Sequence, residues 1–287
     1  MWSTLKSNQT SLLIKPQIKI TSFLNFLLSL ILFSSLLSFS SLSFAEELSI
    51  DSALNKAGRQ RMLSQRIVKS YLLIGHDVAT ETAQEQLDAS VALFEEQLEE
   101  LEEFSPNKAI NASLKDIRGQ WNRFRRAAIS KPEKKKALAI IQEGEKTLAL
   151  CENTVKLLEQ YSGNQKGKLI NISGRQRMLS QRIGMLYTAK SWNLNDDKLN
   201  KSFTQAMDEY DQALKFLTSS KLNSKEINKA LAKVNSQWEF SRSGFEQMEN
   251  GRYVPFIIQV TTESMLKKMN KITGMYETVA DKTLAKN

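Results

Sequence analysis

Arg61 and Arg177 are the side chains whose type and placement could do chemistry. They occupy the same position in a ten-residue stretch, GRQRMLSQRI, which occurs at Gly58–Ile67 and again at Gly174–Ile183. A guanidinium carries five N–H donors in a planar fork that matches a carboxylate or another planar oxyanion. On a helix turning about 100° per residue, Leu63, Ile67 and Ile74 fall on one apolar face. A second stripe runs Ile50, Leu54, Ala57, Arg61, Ser64, Val68 and Tyr71, and its counterpart runs Ile170, Ser173, Arg177, Ser180, Gly184 and Tyr187. Small residues in such a stripe suit close approach of another helix. If the two stripes face each other, Arg61 and Arg177 meet in a partly dry seam, where like charges repel and are costly to desolvate. An anion held by both forks would relieve that cost. Gly58 and Gly174, one turn before each arginine, permit close approach. The alternative is a seam that only packs, with Arg61 reaching water or pairing with a glutamate. Arg59 and Arg66 fall on the other side of the helix, where a solvated, ion-paired face is expected.

The elements that position these residues repeat as well. Asn55 aligns with Asn171, Tyr71 with Tyr187, Gln120-Trp121 with Gln237-Trp238, and Asn153 with Asn270. Landmarks in one order define two copies of one unit. Apolar residues recur at alternating spacings of about three and four in each segment, as in Leu87, Val91, Phe94, Leu98 and Leu101, or Ile227, Leu231, Val234 and Trp238. Four prolines and eleven glycines in 287 residues leave room for long helices. The expected fold is all-α: two tandem antiparallel four-helix bundles, with helices across Ile50–Gln160 and Lys168–Lys282. Ser105-Pro106, Lys131-Pro132 and Pro255 mark helix starts. Asn195-Asp196-Asp197 places a cap and two acids at another, and Asn223 with Glu226 resembles a capping box. The segment Tyr161–Lys168 is either a turn or part of one continuous helix.

Residues 1–45 differ from the rest. They hold Lys6, Lys15 and Lys19, no acid, and an apolar run from Phe23 to Phe44 that ends Ser43-Phe44-Ala45. This pattern predicts a signal peptide cleaved after Ala45, with a periplasmic mature chain. The alternative is an uncleaved inner-membrane anchor. The expected domains are 1–45, the signal peptide; 46–162, the first bundle; and 163–287, the second. Without the three lysines, 37 basic residues face 31 acidic ones, a mild and well-mixed excess. Together with export, this argues against nucleic acid and leaves a small anion or an anionic surface as possible partners. Cys151 and His76 are the only residues of their types. They cannot supply a His/Cys metal site, so neither metal nor cofactor is expected. Cys151 reads as a core residue and His76 as a capping or surface residue. No constellation of acids stands out as catalytic, so an enzyme is not expected.

The stretch NKAGRQRMLSQRI resembles the P-box of nitrate/nitrite sensor kinases of the NarX type. It also resembles the PilJ-type N-terminal domain of type IV pilus methyl-accepting transducers. The resemblance covers about fifteen residues in each copy. In the sensor family such helices, one from each subunit, clamp nitrate at a dimer seam through the arginine of an Asn-Lys-Ala-Gly-x-x-Arg-Met pattern. Asn55, Lys56, Ala57, Gly58, Arg61 and Met62 match that pattern; in the second copy Asn171, Gly174, Arg177 and Met178 match, while Ile172 and Ser173 depart from it. The resemblance implies a ligand site made of Arg61, Arg177, Gly58, Gly174, Asn55, Asn171 and Lys56, with nitrate or nitrite as the leading ligand. The two P-box-like helices would meet within one chain or across a homodimer. Family members usually continue into a kinase or signalling coiled coil. This chain ends at Asn287, so the expectation is action through a membrane sensor or chemotaxis partner. The competing expectation is a structural or interaction protein of the envelope or pilus-signalling machinery.

Overall fold

Helix-forming sequence and well-placed caps divide the described residues into eight long helices. A computed structural model describes residues 48–194, 196–246 and 253–279. The helices are α1 (Ile50–Gly75), α2 (Thr80–Phe104), α3 (Lys108–Ala128), α4 (Lys134–Ser162), α5 (Gln165–Ser191), α6 (Asp197–Thr218), α7 (Lys225–Glu246) and α8 (Pro255–Glu277). No strand occurs among the described residues. The leader with its cleavage motif, Asn195 and the expected extension to Lys282 lie wholly or partly outside the described residues.

Local chemistry accounts for most boundaries. Ser49, Asn107, Asn164 and Asp196 each accept a hydrogen bond from a backbone N–H of the first turn of α1, α3, α5 and α6, satisfying a donor the helix cannot. Asn107, rather than the expected Ser105, starts α3; Ser105 instead follows the last residue of α2. The expected capping box at Asn223 is also shifted. Ser224 Oγ accepts from Ile227 N–H, while Asn223 donates to the Leu217 carbonyl and accepts from the Tyr276 hydroxyl. Pro255 does open α8. The segment after Tyr161 is a turn, because Gly163 takes φ 64° and ends α4, a conformation that suits a residue without Cβ.

Helices α1 and α5 are the central pair. Asp51 meets Lys166, Gln65 meets Arg182, and the His76 ring stacks on Trp192. These contacts advance together along both helices, so α1 and α5 run parallel and in register within one chain. The matching turns at Asp77 (φ 57°) and Asn193 (φ 55°) extend the symmetry beyond the helix ends. Around α1 pack α2, α3 and α4; around α5 pack α6 and α8, with α7 bridging those two. About two thirds of the residues of α1 and α5 are buried, among them most of both faces read from the sequence. The repeated tyrosines do one job twice: Glu133 N–H donates to the Tyr71 hydroxyl at 3.4 Å, and Val254 N–H to the Tyr187 hydroxyl at 2.8 Å. Cys151 is buried in the core, and His76 caps α1.

Candidate functional site

The repeated stretch puts Arg61 and Arg177 at the middle of the α1–α5 seam, both fully buried. Each crosses to the opposite helix. Arg61 Nη2 donates to the Asn171 carbonyl and Arg177 Nη2 to the Asn55 carbonyl, both at 3.1 Å. Gly58 and Gly174 make this possible. A Cβ at residue 58 would lie 3.4 Å from the Nη2 of both arginines, and one at residue 174 would lie 3.2 Å from Arg177 Nη2. The glycines therefore seat two guanidinium ends side by side. Ser64 and Ser180 donate to the Arg61 and Arg177 carbonyls, and Gln60 and Gln176 tie the seam helices to the Phe94 and Tyr210 carbonyls. Ten identical letters thus perform the same structural task in both halves.

The remaining arms of the two arginines break the symmetry. Arg61 Nη1 donates to Glu152 Oε2 of α4 at 2.7 Å. Arg177 Nη1 donates to Asn270 Oδ1 of α8 at 3.0 Å. Asn270 therefore stands where Glu152 stands in the first half, although the sequence aligns it with Asn153. The same register relates Glu145, which pairs with Arg182, to Glu263, which pairs with Arg66. It also exchanges volume across the two contacts: Gly144 packs against Val68, whereas Thr262 packs against Gly184.

Charge follows this asymmetry. Burial pushes the Arg61 guanidinium below its usual pKa, and Glu152 acts against that. Burial pushes Arg177 well below its usual value, Arg59 and Arg61 push it the same way, and only Glu277 opposes them. A guanidinium keeps its proton, so this direction measures an electrostatic cost that an anion or a neutral side chain would remove. Arg177→Met should then raise stability by about 1–2 kcal/mol, whereas Arg61→Met should not, because it leaves Glu152 half-paired. Urea unfolding of the two variants checks this; a destabilised Arg177→Met would count against it.

The other expected site residues are spread more widely. The Asn55 and Asn171 carbonyls join the seam, and the Asn171 amide donates to Glu159. Lys56 pairs with Glu100 of α2 at 2.6 Å and makes no bond to either arginine. Arg59 does not sit on a solvated, ion-paired face. It is half-buried, close enough to Arg177 to act on it, and among the described residues no carboxylate pairs with it. Arg66 is ion-paired, as expected, but with Glu263 across the α1–α8 contact. Lys69 is fully buried and joins the same carboxylate at 2.6 Å. Sequence reasoning did not single out Glu152, Asn270, Glu263, Lys69, Arg175 or Arg182. The repeated arginine-bearing stretch already contained Arg175 and Arg182; the acids are visible only as helix-face glutamates.

Among the described residues no cluster of three or more His, Cys, Asp or Glu could hold a metal, and no helix is long and apolar enough to cross a membrane. Eight described helices arranged about one charged, buried seam define an all-α helical-bundle domain. The chain belongs to the PilJ family, the N-terminal domain of type IV pili methyl-accepting chemotaxis transducers, whose model matches residues 43–147 and 161–252. No curated protein and no solved structure matches the chain.

Proposed function

We propose that this protein is the periplasmic ligand-sensing part of a chemotaxis-type signalling system, that it binds a small oxyanion at the α1–α5 seam, and that it signals through a partner in the membrane. Nitrate and nitrite are the leading ligands. Arg61 and Arg177 are the binding residues, with Gly58 and Gly174 giving them room and Asn55 and Asn171 holding them through backbone carbonyls. In this reading the two bundles, 46–162 and 163–287, place both P-box-like helices in one chain, so a homodimer is not needed to complete the seam. The observation that carries the reading is two fully buried guanidiniums whose Nη2 groups meet at one glycine pair, with a carboxylate on only one of them.

A second reading has its own support. Every Nη of both arginines already has a protein acceptor, although the buried Nε of each has none, and a seam serving only as packing needs such acceptors. Thermal unfolding in nitrate, nitrite, sulfate, phosphate and chloride at equal ionic strength separates the two. A ligand specific to the folded state stabilises by about 2.7 kcal/mol at a hundredfold excess over its Kd. Nitrate or nitrite should raise the unfolding temperature above the chloride value, and Arg177→Ala should remove that rise. Equal midpoints in all five salts would leave packing as the function of the seam.

A further inference from the structure

The α1–α5 seam contains a completed version of a site on one side and leaves its counterpart open on the other. On the completed side, Glu152 of α4 bridges Arg61 and Arg175, and Glu209 of α6 also pairs with Arg175 at 2.8 Å. The bonds of the seam identify the counterparts. Arg177 corresponds to Arg61, and Arg59 to Arg175, through the repeated stretch. Asn270 corresponds to Glu152 through its bond to Arg177. Gln60 and Gln176 bond the Phe94 and Tyr210 carbonyls, so the preceding residues, Leu93 and Glu209, correspond. Both carboxylates of the completed side are therefore replaced by neutral side chains on the open side, while both arginines are kept.

The opening beside this second set is a pocket of about 560 Å³. Arg59, Leu93 and Asn270 line it, together with Met62, Leu266 and Lys267. Its one acid, Glu263, is held by Arg66 and Lys69. One wall is therefore cationic and another is aliphatic, and a buried arginine without a carboxylate lies behind Asn270. Arg175 is held above its usual pKa by Glu152 and Glu209 despite its burial, whereas burial takes Arg59 below although Glu277, Glu100 and Glu96 act against it. The two sites thus differ in charge balance as they do in contacts.

We infer that this pocket binds a small organic carboxylate, whose head group pairs with Arg59 beside Asn270, as the Glu152 and Glu209 carboxylates pair with Arg175 at the matching site, and whose apolar part lies on Met62, Leu93 and Leu266. The inference rests on the reading that the seam arginines serve an anion, and it moves the ligand from between Arg61 and Arg177 to one side of them. Glu152 and Glu209 act as built-in ligands at the matching site, so one chain binds one equivalent. A planar inorganic anion can meet the charge but leaves the aliphatic wall uncovered, which favours an aliphatic acid over nitrate.

Calorimetric titration of the purified protein with sodium butyrate, and separately with sodium nitrate, in chloride of matched ionic strength tests this. The wild type should bind one equivalent of butyrate. Asn270→Glu ties a carboxylate into the opening and should weaken butyrate by about tenfold or more. Glu152→Asn combined with Glu209→Leu should open the matching site and add a second equivalent. If Asn270→Glu does not fold, Leu93→Glu supplies the carboxylate from the position of Glu209. Undiminished butyrate binding in the glutamate variant that folds would overturn the inference. Nitrate binding that Arg177→Ala abolishes, with no butyrate binding in the wild type, would also overturn it while leaving the seam reading intact. No response to either salt would remove both.

Discussion

Glu263→Gln is expected to destabilise the protein by about 3 kcal/mol at neutral pH, because it leaves the buried Lys69 ammonium beside a neutral amide. Glu263 joins α8 to α1 through Lys69 and Arg66, each at 2.6 Å. Burial alone would raise the Glu263 pKa, but Lys69 and Arg66 outweigh it and hold the carboxyl below its ordinary value. A carboxyl so depressed contributes stability above its unfolded pKa, about 4.3, and loses it as the pH falls through the folded value. The acid side of the stability profile should therefore be shallower in Glu263→Gln than in the wild type. On the alkaline side the sign comes from Lys69, which burial lowers to about 8. Between that value and about 10.4, the unfolded lysine pKa, the folded chain binds fewer protons and Lys69 makes stability rise with pH. Lys69→Met should abolish that rise, and the double variant Lys69→Met, Glu263→Gln should recover much of the loss. Urea unfolding from acid to alkaline pH measures all of these; an additive double variant would show that the pair is not coupled.

Trp121→Ala should cost about 3–5 kcal/mol. Trp121 is fully buried, stacks on Phe94 with ring centroids 4.0 Å apart at 18°, and donates its indole N–H to Glu95 at 2.6 Å. Truncation removes the ring from the α2–α3 contact and leaves Glu95 with Arg118 and Arg125 alone. Trp238 fills the same place in the second half, 4.3 Å from Tyr210, but its indole N–H reaches Asp211 only at 3.4 Å. Trp238→Ala should thus cost about 1 kcal/mol less than Trp121→Ala, the worth of the better hydrogen bond. Equilibrium denaturation of the two variants provides the comparison. Equal losses would mean that the ring carries the effect and the indole bond none of it.

The helical class, the duplication and the residues of the core were legible in the order of the amino acids. Apolar spacing near 3.6 and caps such as Asn107 or Pro255 act over one or two turns, so short windows of sequence contain the whole cause. The pairing of Trp121 and Trp238 as repeated core residues, and of Arg61 and Arg177 as the charged centre, followed from the repeat itself. The tertiary structure alone decided what those arginines meet. That α1 and α5 run parallel within one chain depends on contacts more than a hundred residues apart. The register of α4 and α8 was hidden for a more specific reason. The alignment that pairs Asn153 with Asn270 also pairs Val155 with Ile272, but the buried faces of these helices also carry Thr154 and Thr273, whose hydroxyls return to their own helix backbone. Threonine satisfied in that way packs like an apolar residue while reading as a polar one. The apolar pattern therefore misplaces α8 by one residue against α4. That single residue decides whether Asn153 or Glu152 is the counterpart of Asn270, and so whether the buried guanidiniums have matching partners or one carboxylate between them.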